Sequence, residues 1–523
     1  MPEEVWTYVK NRVKRRWIFC FTVTMTAGLF AHFYRLVNWL PNWDSLVFRY
    51  DSQNMTQFGR IFLSLACGIS SYYDLPWING LLSLFYLSAG AVVICELFSF
   101  RKPAAVALTG ALTAVFPTVT STFLYMYTAD GYCLAFFFSC FAALLLARAG
   151  GAVFSWRKNL AAVLLLAVLS GIYQAYVTVT VMLLLLYLAD RLVFFRMTWR
   201  EFWRACLRYL ICGAAGVGAL YLLFVKAALF LEKSALSEYQ SVASAFALES
   251  LNPIASVKGC GKLFLSYFFA MFQQVSAYTV LNLLVFLLLA VLTAVSCKMR
   301  GVWKEPWRLF ALIVCLAAMP FGASVLFFIE PYVDYHNLMR MGYIVFYLAL
   351  ILFYERLDGL PVRLLAAKQW AILLTAGLVC GNFILIANIT WQKQQIAYEK
   401  SYGILVRMAD RIEQMPGAAD CRSLAVFGRF SDGQLWYADL PPDMTGTTDG
   451  VILLNTDPTI EDQSVFVSAL ADYCGLHFKK ASAEEEETVK ASEKFQAMEA
   501  WPAADSVKVI DGILVIYLGE WKT

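Results

Sequence analysis

Charge is scarce in this sequence: Asp, Glu, Lys and Arg make up only 15% of its 523 residues, against about 25% in an ordinary water-soluble chain. Histidine is scarcer still, with three copies that form no cluster. The thirteen cysteines contain no CxxC spacing, which removes the usual zinc and dithiol redox sites. Also missing are a P-loop, a dinucleotide fingerprint, HExxH and GxSxG, so nucleotide hydrolysis, hydride transfer and zinc or serine hydrolysis have no support. A net charge of +4 is too small to suggest nucleic acid. What the chain has in excess is apolar surface, at 60% of residues, and that surface must be buried in lipid.

A bilayer core about 30 Å thick needs roughly 20 apolar residues per crossing helix. Windows of that kind lie near 17–36, 78–98, 104–126, 131–147, 159–171, 173–190, 206–226, 275–297, 308–329, 341–355 and 369–390, about eleven crossings in all. Lys10, Arg12, Lys14, Arg15 and Arg16 precede the first window, and no small-residue cleavage site follows it, so it reads as a signal anchor with a cytoplasmic N-terminus. Basic residues then recur in every second connection: Arg101 and Lys102, Arg157 and Lys158, Arg191 to Arg204, Lys298 to Arg308, and Arg356 to Lys368. This is the positive-inside alternation. The stretch 159–190 is too long for one crossing and basic at both ends, so it predicts a hairpin with Gly171-Ile172-Tyr173-Gln174 at an outer apex. The long connections 37–77 and 227–274, together with a soluble tail from 391, fall on the outer side.

The predicted fold is therefore an α-helical polytopic membrane domain, 1–390, followed by a small extracytoplasmic α/β domain, 391–523. The tail opens with an amphipathic helix carrying Ile396, Tyr402, Leu405 and Ile412, which continues from the last crossing. Leu424–Phe427, Val451–Leu454 and Ile513–Leu518 read as strands, 459–476 as a helix, and Glu484–Glu487 as a solvated helix face. Cys421 and Cys474 could pair as a disulfide there, whereas Cys20, Cys95, Cys140, Cys212, Cys315 and Cys380 read as small core residues.

The polar residues that need a reason gather at the outer ends. The first outer loop carries Asp44, Arg49, Tyr50, Asp51 and Arg60 beside aromatics, a mixture suited to a charged lipid headgroup. Sugar transfer from a polyprenyl phosphate needs a carboxylate to deprotonate the acceptor hydroxyl and a cation for the departing phosphate. Asp44 can be that base and Arg60 that cation, because a guanidinium matches phosphate oxygens as a fork. Equally, Asp44 can cap a short helix and Arg60 can snorkel to headgroups. Asp130 can be catalytic or the N-cap of the fourth crossing helix. Tyr173 and Gln174 lie at the hairpin apex, and Glu330, Asp334, His336 and Arg340 open the tenth helix. A lone histidine such as His336 is more often structural than a base. A secondary transporter would show an internal repeat and charges deep in several helices, and neither is evident. Sequons at Asn54-Met55-Thr56 and Asn388-Ile389-Thr390 lie against the membrane and are assigned no role.

Taken together, the loop from Asp44 to Gly59-Arg60, the turn Tyr127-Thr128-Ala129-Asp130, the apex Gly171 to Gln174, His336-Asn337-Leu338-Met339-Arg340 and the terminal Trp501-Pro502-Ala503-Ala504-Asp505-Ser506-Val507 resemble the bacterial glucosyltransferase II-like family. The resemblance covers nearly the whole chain. It implies a GT-C type enzyme of the bacterial plasma membrane that moves glucose or a related hexose from a polyprenyl phosphate to a surface polysaccharide such as O-antigen, with inversion. No cofactor or metal is implied. In that family an acid of the first outer loop is the base, which falls on Asp44, with Asp51 as substitute. Many relatives carry two adjacent acids there, whereas here Ser45 follows Asp44. Arg60, Tyr173, Gln174, His336 and Arg340 would hold donor and phosphate, and Trp436, Tyr437 and Trp501 of the tail could stack on acceptor sugars or simply pack a core. The rivals are a flippase or exporter of lipid-linked glycan and a polysaccharide polymerase or ligase.

Overall fold

The computed structural model describes residues 1–48, 51–150, 155–237, 252–271, 277–328, 335–356, 358–359, 361–428, 430 and 464–519. The chain forms two compact units. One is built from Met1–Val37 and Ser52–Asn388, the other from Asn38–Asp51 and the chain from Ile389 onward. The fourteen residues Asn38–Asp51 thus fold with the C-terminal unit.

The first unit is a helical bundle. In chain order it contains α1 (Pro2–Arg12) and α2 (Arg15–Val37). The short α3 (Trp43–Phe48) of the other unit comes next, followed by α4 (Leu63–Cys67), α5 (Pro76–Leu97), α6 (Pro103–Val115), α7 (Pro117–Leu124) and α8 (Met126–Ala149). Then come α9 (Trp156–Ile172), α10 (Val177–Phe194), α11 (Trp199–Gly213), a π-helical stretch Ala214–Tyr221 and α12 (Leu222–Glu232). Closing the bundle are α13 (Pro253–Phe269), α14 (Tyr278–Met299), α15 (Pro306–Gly322), α16 (Ile344–Arg356) and α17 (Val362–Gln414).

Proline opens α5, α6, α7, α13 and α15, where its missing N–H costs nothing and its fixed φ suits the first turn. Pro117 also breaks the third apolar window. It pushes Phe116 to ψ 135° and leaves α6 and α7 as two half-helices. Among the described residues, eight helical segments are long and apolar enough to cross a membrane. The windows read near 159–171, 308–329 and 341–355 fall on the shorter helices α9, α15 and α16. The connection 227–274 holds a helix, α13, that hydropathy did not announce, because Lys258, Gly259, Gly261 and Lys262 interrupt its apolar run.

Buried carboxylates also lie at the basic ends of the helices. Glu96, at the end of α5, accepts from Lys14 Nζ at 3.0 Å, from Trp17 Nε1 at 2.6 Å and from Arg148 Nη2 at 3.3 Å, and also from Arg16. Asp190 of α10 pairs with Arg356 of α16 at 3.0 Å. The Glu355 carboxylate accepts the backbone amides of Arg101 and Lys102 at 3.0 and 3.1 Å, while Arg356 also donates to the Phe98 carbonyl. These bonds bring one end of α5, α6, α10 and α16 to a common level.

In the second unit, α17 runs unbroken for 53 residues and brings the chain to the tail. After it come β1 (Ser423–Gly428), α18 (Ser464–Cys474), β2 (Lys479–Lys480), α19 (Ala483–Ala491), β3 (Val507–Ile510) and β4 (Ile513–Gly519). The four strands form one sheet in the order β2-β1-β4-β3, with β1 parallel to β2 and β4, and β3 antiparallel to β4. Asp511 and Gly512, at φ 49° and 79°, form the tight turn between β3 and β4. Side chains alternate across the sheet. Leu424, Leu514, Ile516 and Leu518 pack on α17 and α18, while Ala425, Phe427 and Val515 pack on Val489 and Phe495. The glutamate run lies on α19, and Ser482 and Glu485 form a capping box at its start.

The expected strand Val451–Leu454, together with Trp436 and Tyr437, lies outside the described residues. Cys421 and Cys474 are both free thiols, so the bridge is not formed. Trp501 is only 4% exposed, lying against Arg411 at 4.6 Å from ring centroid to guanidinium. It is a packing residue of the core and presents no face for an acceptor sugar.

Candidate functional site

Within the first unit the structure gathers three of the predicted binding residues around the loop that precedes α4. Gly59 takes φ 72°, a left-handed turn open to glycine at little cost, and it swings Arg60 back to pair with Met55. The next residue but one, Phe62, donates its amide to the Gly171 carbonyl at 2.8 Å. A Cβ at Gly171 would collide with Phe62, so the hairpin apex and the loop fit only because this position is glycine.

Arg60 is thereby aimed at two stacked tyrosines. Its Nη1 donates to the Tyr132 hydroxyl at 2.9 Å, and its guanidinium lies 4.8 Å from the centroid of Tyr173 and 5.9 Å from that of Tyr132. The two rings stack on each other at 4.2 Å and 16°. Both tyrosines are buried while Arg60 is half-buried, so the arrangement presents an oriented cation at the edge of an aromatic floor.

Gln174 does not touch this cation but steadies its turn. Its Nε2 donates to the Phe58 carbonyl at 2.8 Å and to the Tyr221 hydroxyl at 2.9 Å, and Tyr221 donates in turn to the Gly59 carbonyl at 3.2 Å. Asn54 and Thr56 are tied to Glu232 at 3.3 and 3.0 Å, which gives the Asn54-Met55-Thr56 sequon a structural use. Asn388 lies inside α17.

Asp130 is neither an N-cap nor exposed. Tyr125 holds the cap position of α8, and Asp130 lies inside the helix with 0% exposure. One of its oxygens accepts the Gly131 amide at 2.9 Å, and the Ser70 hydroxyl stands beside it. It therefore stands fully buried inside α8, beside the chain that follows α4.

The segment before α16 forms a second cluster. Arg340 donates through Nε and Nη2 to the Tyr335 carbonyl at 3.0 and 2.6 Å, and its guanidinium stands 5.9 Å from the Tyr267 ring. Burial pushes the Tyr335 hydroxyl well above the usual phenol range, and Tyr343, Cys260 and Tyr173 add to that rise. His336 is half-buried and opens a short turn in which its carbonyl accepts the Met339 amide. Asn337, next to it, reaches the Ser121 hydroxyl at 2.7 Å. Glu330 and Asp334 lie outside the described residues.

Asp44 and Asp51 belong to the second unit. Asn42, not Asp44, caps α3: its Oδ1 accepts both the amide and the hydroxyl of Ser45 at 2.8 Å. Ser45 therefore donates to the cap through both its amide and its hydroxyl, and Asp44 is left in the first turn of α3, half-buried. Asp51 is exposed. Arg49 and Tyr50 lie outside the described residues.

Sequence reasoning missed Tyr132 and Tyr221, because an aromatic residue inside an apolar window carries no mark that separates it from core. It also missed Arg35, fully buried near the end of α2, which donates to the Phe123 carbonyl at 3.1 Å and is coupled electrostatically to Asp74. An arginine inside the first apolar window was a visible signal for it. Among the described residues no three His, Cys, Asp or Glu side chains gather as a metal site would require.

Comparison with curated proteins and with solved structures gives no match. A family model, described as glucosyl transferase GtrII, matches residues 33–353, a span that holds Asp44, the Arg60 cluster, Asp130 and the Arg340 segment. That span exceeds half of the chain, and the protein is a glucosyltransferase-type membrane protein belonging to the GtrII family.

Proposed function

We propose that the protein transfers a glucosyl or related hexosyl residue from a polyprenyl-phosphate carrier to a cell-surface polysaccharide such as O-antigen, on the outer face of the bacterial plasma membrane. The observation that carries this reading is Arg60, held by a tyrosine hydroxyl over a stacked pair of aromatic rings. A guanidinium fixed in this way suits a phosphate monoester and a lipid headgroup. In a single inverting displacement Asp44 takes the proton of the acceptor hydroxyl. That oxygen forms the new bond to the anomeric carbon as the bond to the carrier phosphate breaks, and Arg60 compensates the charge left on the phosphate.

With the basic ends inside, the reaction faces outward, the eleven windows are eleven crossings, the N-terminus is cytoplasmic and the C-terminal unit is extracytoplasmic.

The test is release of free polyprenyl phosphate from a panel of polyprenyl-phosphate sugars by the protein reconstituted in liposomes with acceptor glycan, comparing wild type with Asp44→Asn. Release that depends on Asp44 supports transfer, and the active donor names the sugar. If no donor is consumed while labelled lipid crosses the bilayer equally with both proteins, transfer is wrong and a lipid carrier takes its place.

A further inference from the structure

We infer that the C-terminal unit is the scaffold of the proposed base, with Leu46 and Tyr473 as positioning residues for Asp44; this rests on the reading of Asp44 given above. The helix that carries Asp44 has six residues, far too few to persist in water unaided. Its place must come from what it packs against, and the anchors are supplied from residues hundreds of positions away.

Leu46, two residues beyond Asp44, is 6% exposed and lies in the core made by Ile404, Leu405 and Met408 of α17 and by Phe466 and Leu470 of α18. At 100° per residue, positions two apart on a helix face opposite ways. Burial of Leu46 therefore turns the Asp44 side of α3 away from that core. Upstream, the Trp39 ring stacks on Tyr473 of α18 at 6.1 Å and 30°, and the Gln394 side chain of α17 donates to the Leu40 carbonyl at 2.9 Å. Tyr473 is itself held edge-on by Tyr398 and Tyr402 at 6.1 and 5.9 Å. Asn42 then fixes the first turn through Ser45. Entry, cap and buried face of α3 are all set, so the direction of the Asp44 carboxylate follows from the fold of the tail. An acid that must meet one hydroxyl gains from such fixing, because a misplacement of about 1 Å can cost 100-fold in rate.

The consequence is a split in kinetics. Leu46→Ala and Tyr473→Ala should lower kcat by about 10- to 100-fold, and leave the donor KM, which the Arg60 cluster governs, within twofold of wild type; Leu46→Met, which refills the core, should restore most of the rate. Full-length proteins in liposomes are assayed for polyprenyl phosphate release, and hydrogen exchange is followed at the amides of 43–48. Faster exchange in the alanine variants together with the kcat loss supports the inference. Either unchanged exchange, or faster exchange at wild-type kcat, overturns it, as does a kcat loss that Leu46→Met fails to restore. Tyr473→Ala acts through the entry stack rather than the core, so it decides the matter if Leu46→Ala does not fold. Asp44→Asn is measured alongside. If it keeps full activity, the base is misassigned and the reading beneath this one has failed; if it is inactive while both alanine variants turn over normally, only the positioning role has failed.

Discussion

Replacing Arg60 with lysine keeps the positive charge and removes the fork, which separates a phosphate-binding arginine from one that serves only as charge. The guanidinium spends one N–H on Tyr132 at 2.9 Å and lies over Tyr173 at 4.8 Å. An ammonium cannot both reach that hydroxyl and offer two parallel donors to a phosphate. One charge-assisted hydrogen bond lost in the transition state is worth about 1.5–3 kcal/mol, or roughly 10- to 150-fold in kcat/KM for the donor. Arg60→Ala, which loses the charge as well, should fall by about 1,000-fold or more. Tyr132→Phe removes only the hydroxyl that aims the guanidinium and should cost about 1 kcal/mol, near fivefold. Because Tyr132 acts through Arg60, the double variant Arg60→Lys with Tyr132→Phe should fall short of the product of the single losses. The assay is polyprenyl phosphate release in liposomes over a range of donor concentrations. Arg60→Lys within threefold of wild type, with Tyr132→Phe unaffected, would refute a role in phosphate binding.

Three further outcomes follow from other contacts. Tyr221→Phe deletes the hydroxyl that joins Gln174 to the Gly59 carbonyl and should raise the donor KM by about five- to tenfold, at roughly 1 kcal/mol or slightly more for the lost bonds; an unchanged KM would show that the turn holds itself. Glu96→Gln strips the shared partner from Lys14, Arg16 and Arg148 and should cost about 2 kcal/mol of stability, seen as a lower thermal midpoint in detergent, since breaking a part-buried pair strands its cations. Arg411→Ala removes the cation beside Trp501 and the hydrogen bond to Ser506 at 2.9 Å; proteolysis at the C-terminal end should accelerate by about 30-fold, at about 2 kcal/mol, with bundle stability unchanged.

The long apolar helices were legible because lipid imposes a length and an apolar composition that few soluble helices meet, and the helix break at Gly171 to Gln174 was legible because basic residues flank a run too long for one helix. Strands β1 and β4 showed as short apolar runs. Helix α13 was hidden by the lysines and glycines that interrupt its apolar pattern. The candidate site was half legible. Arg60, Tyr173, Gln174 and Arg340 stand out as polar or turn residues at helix ends, whereas Tyr132 and Tyr221 look like core until the loop that uses their hydroxyls is in place. Asp130 shows why polarity alone misleads: a carboxylate near a helix start looks like a cap, but the start is set by the backbone break at Tyr125, five residues earlier. The union of Asn38–Asp51 with a tail beginning 338 residues further on left no local trace, since nothing in a six-residue helix encodes its distant partner.

The π-helical stretch Ala214–Tyr221 carries a consequence for how the sequence can change. A wide turn takes one residue more than an α-turn, so a surplus residue is absorbed between Ala214 and Tyr221 while the Tyr221 hydroxyl still reaches the Gly59 carbonyl. Removing one residue there would let the helix close to regular geometry with Tyr221 facing as before, whereas inserting one would turn everything beyond it by about 100° and carry that hydroxyl away from the carbonyl. The segment Trp199–Glu232 thus tolerates the loss of a residue at this place but not the gain of one.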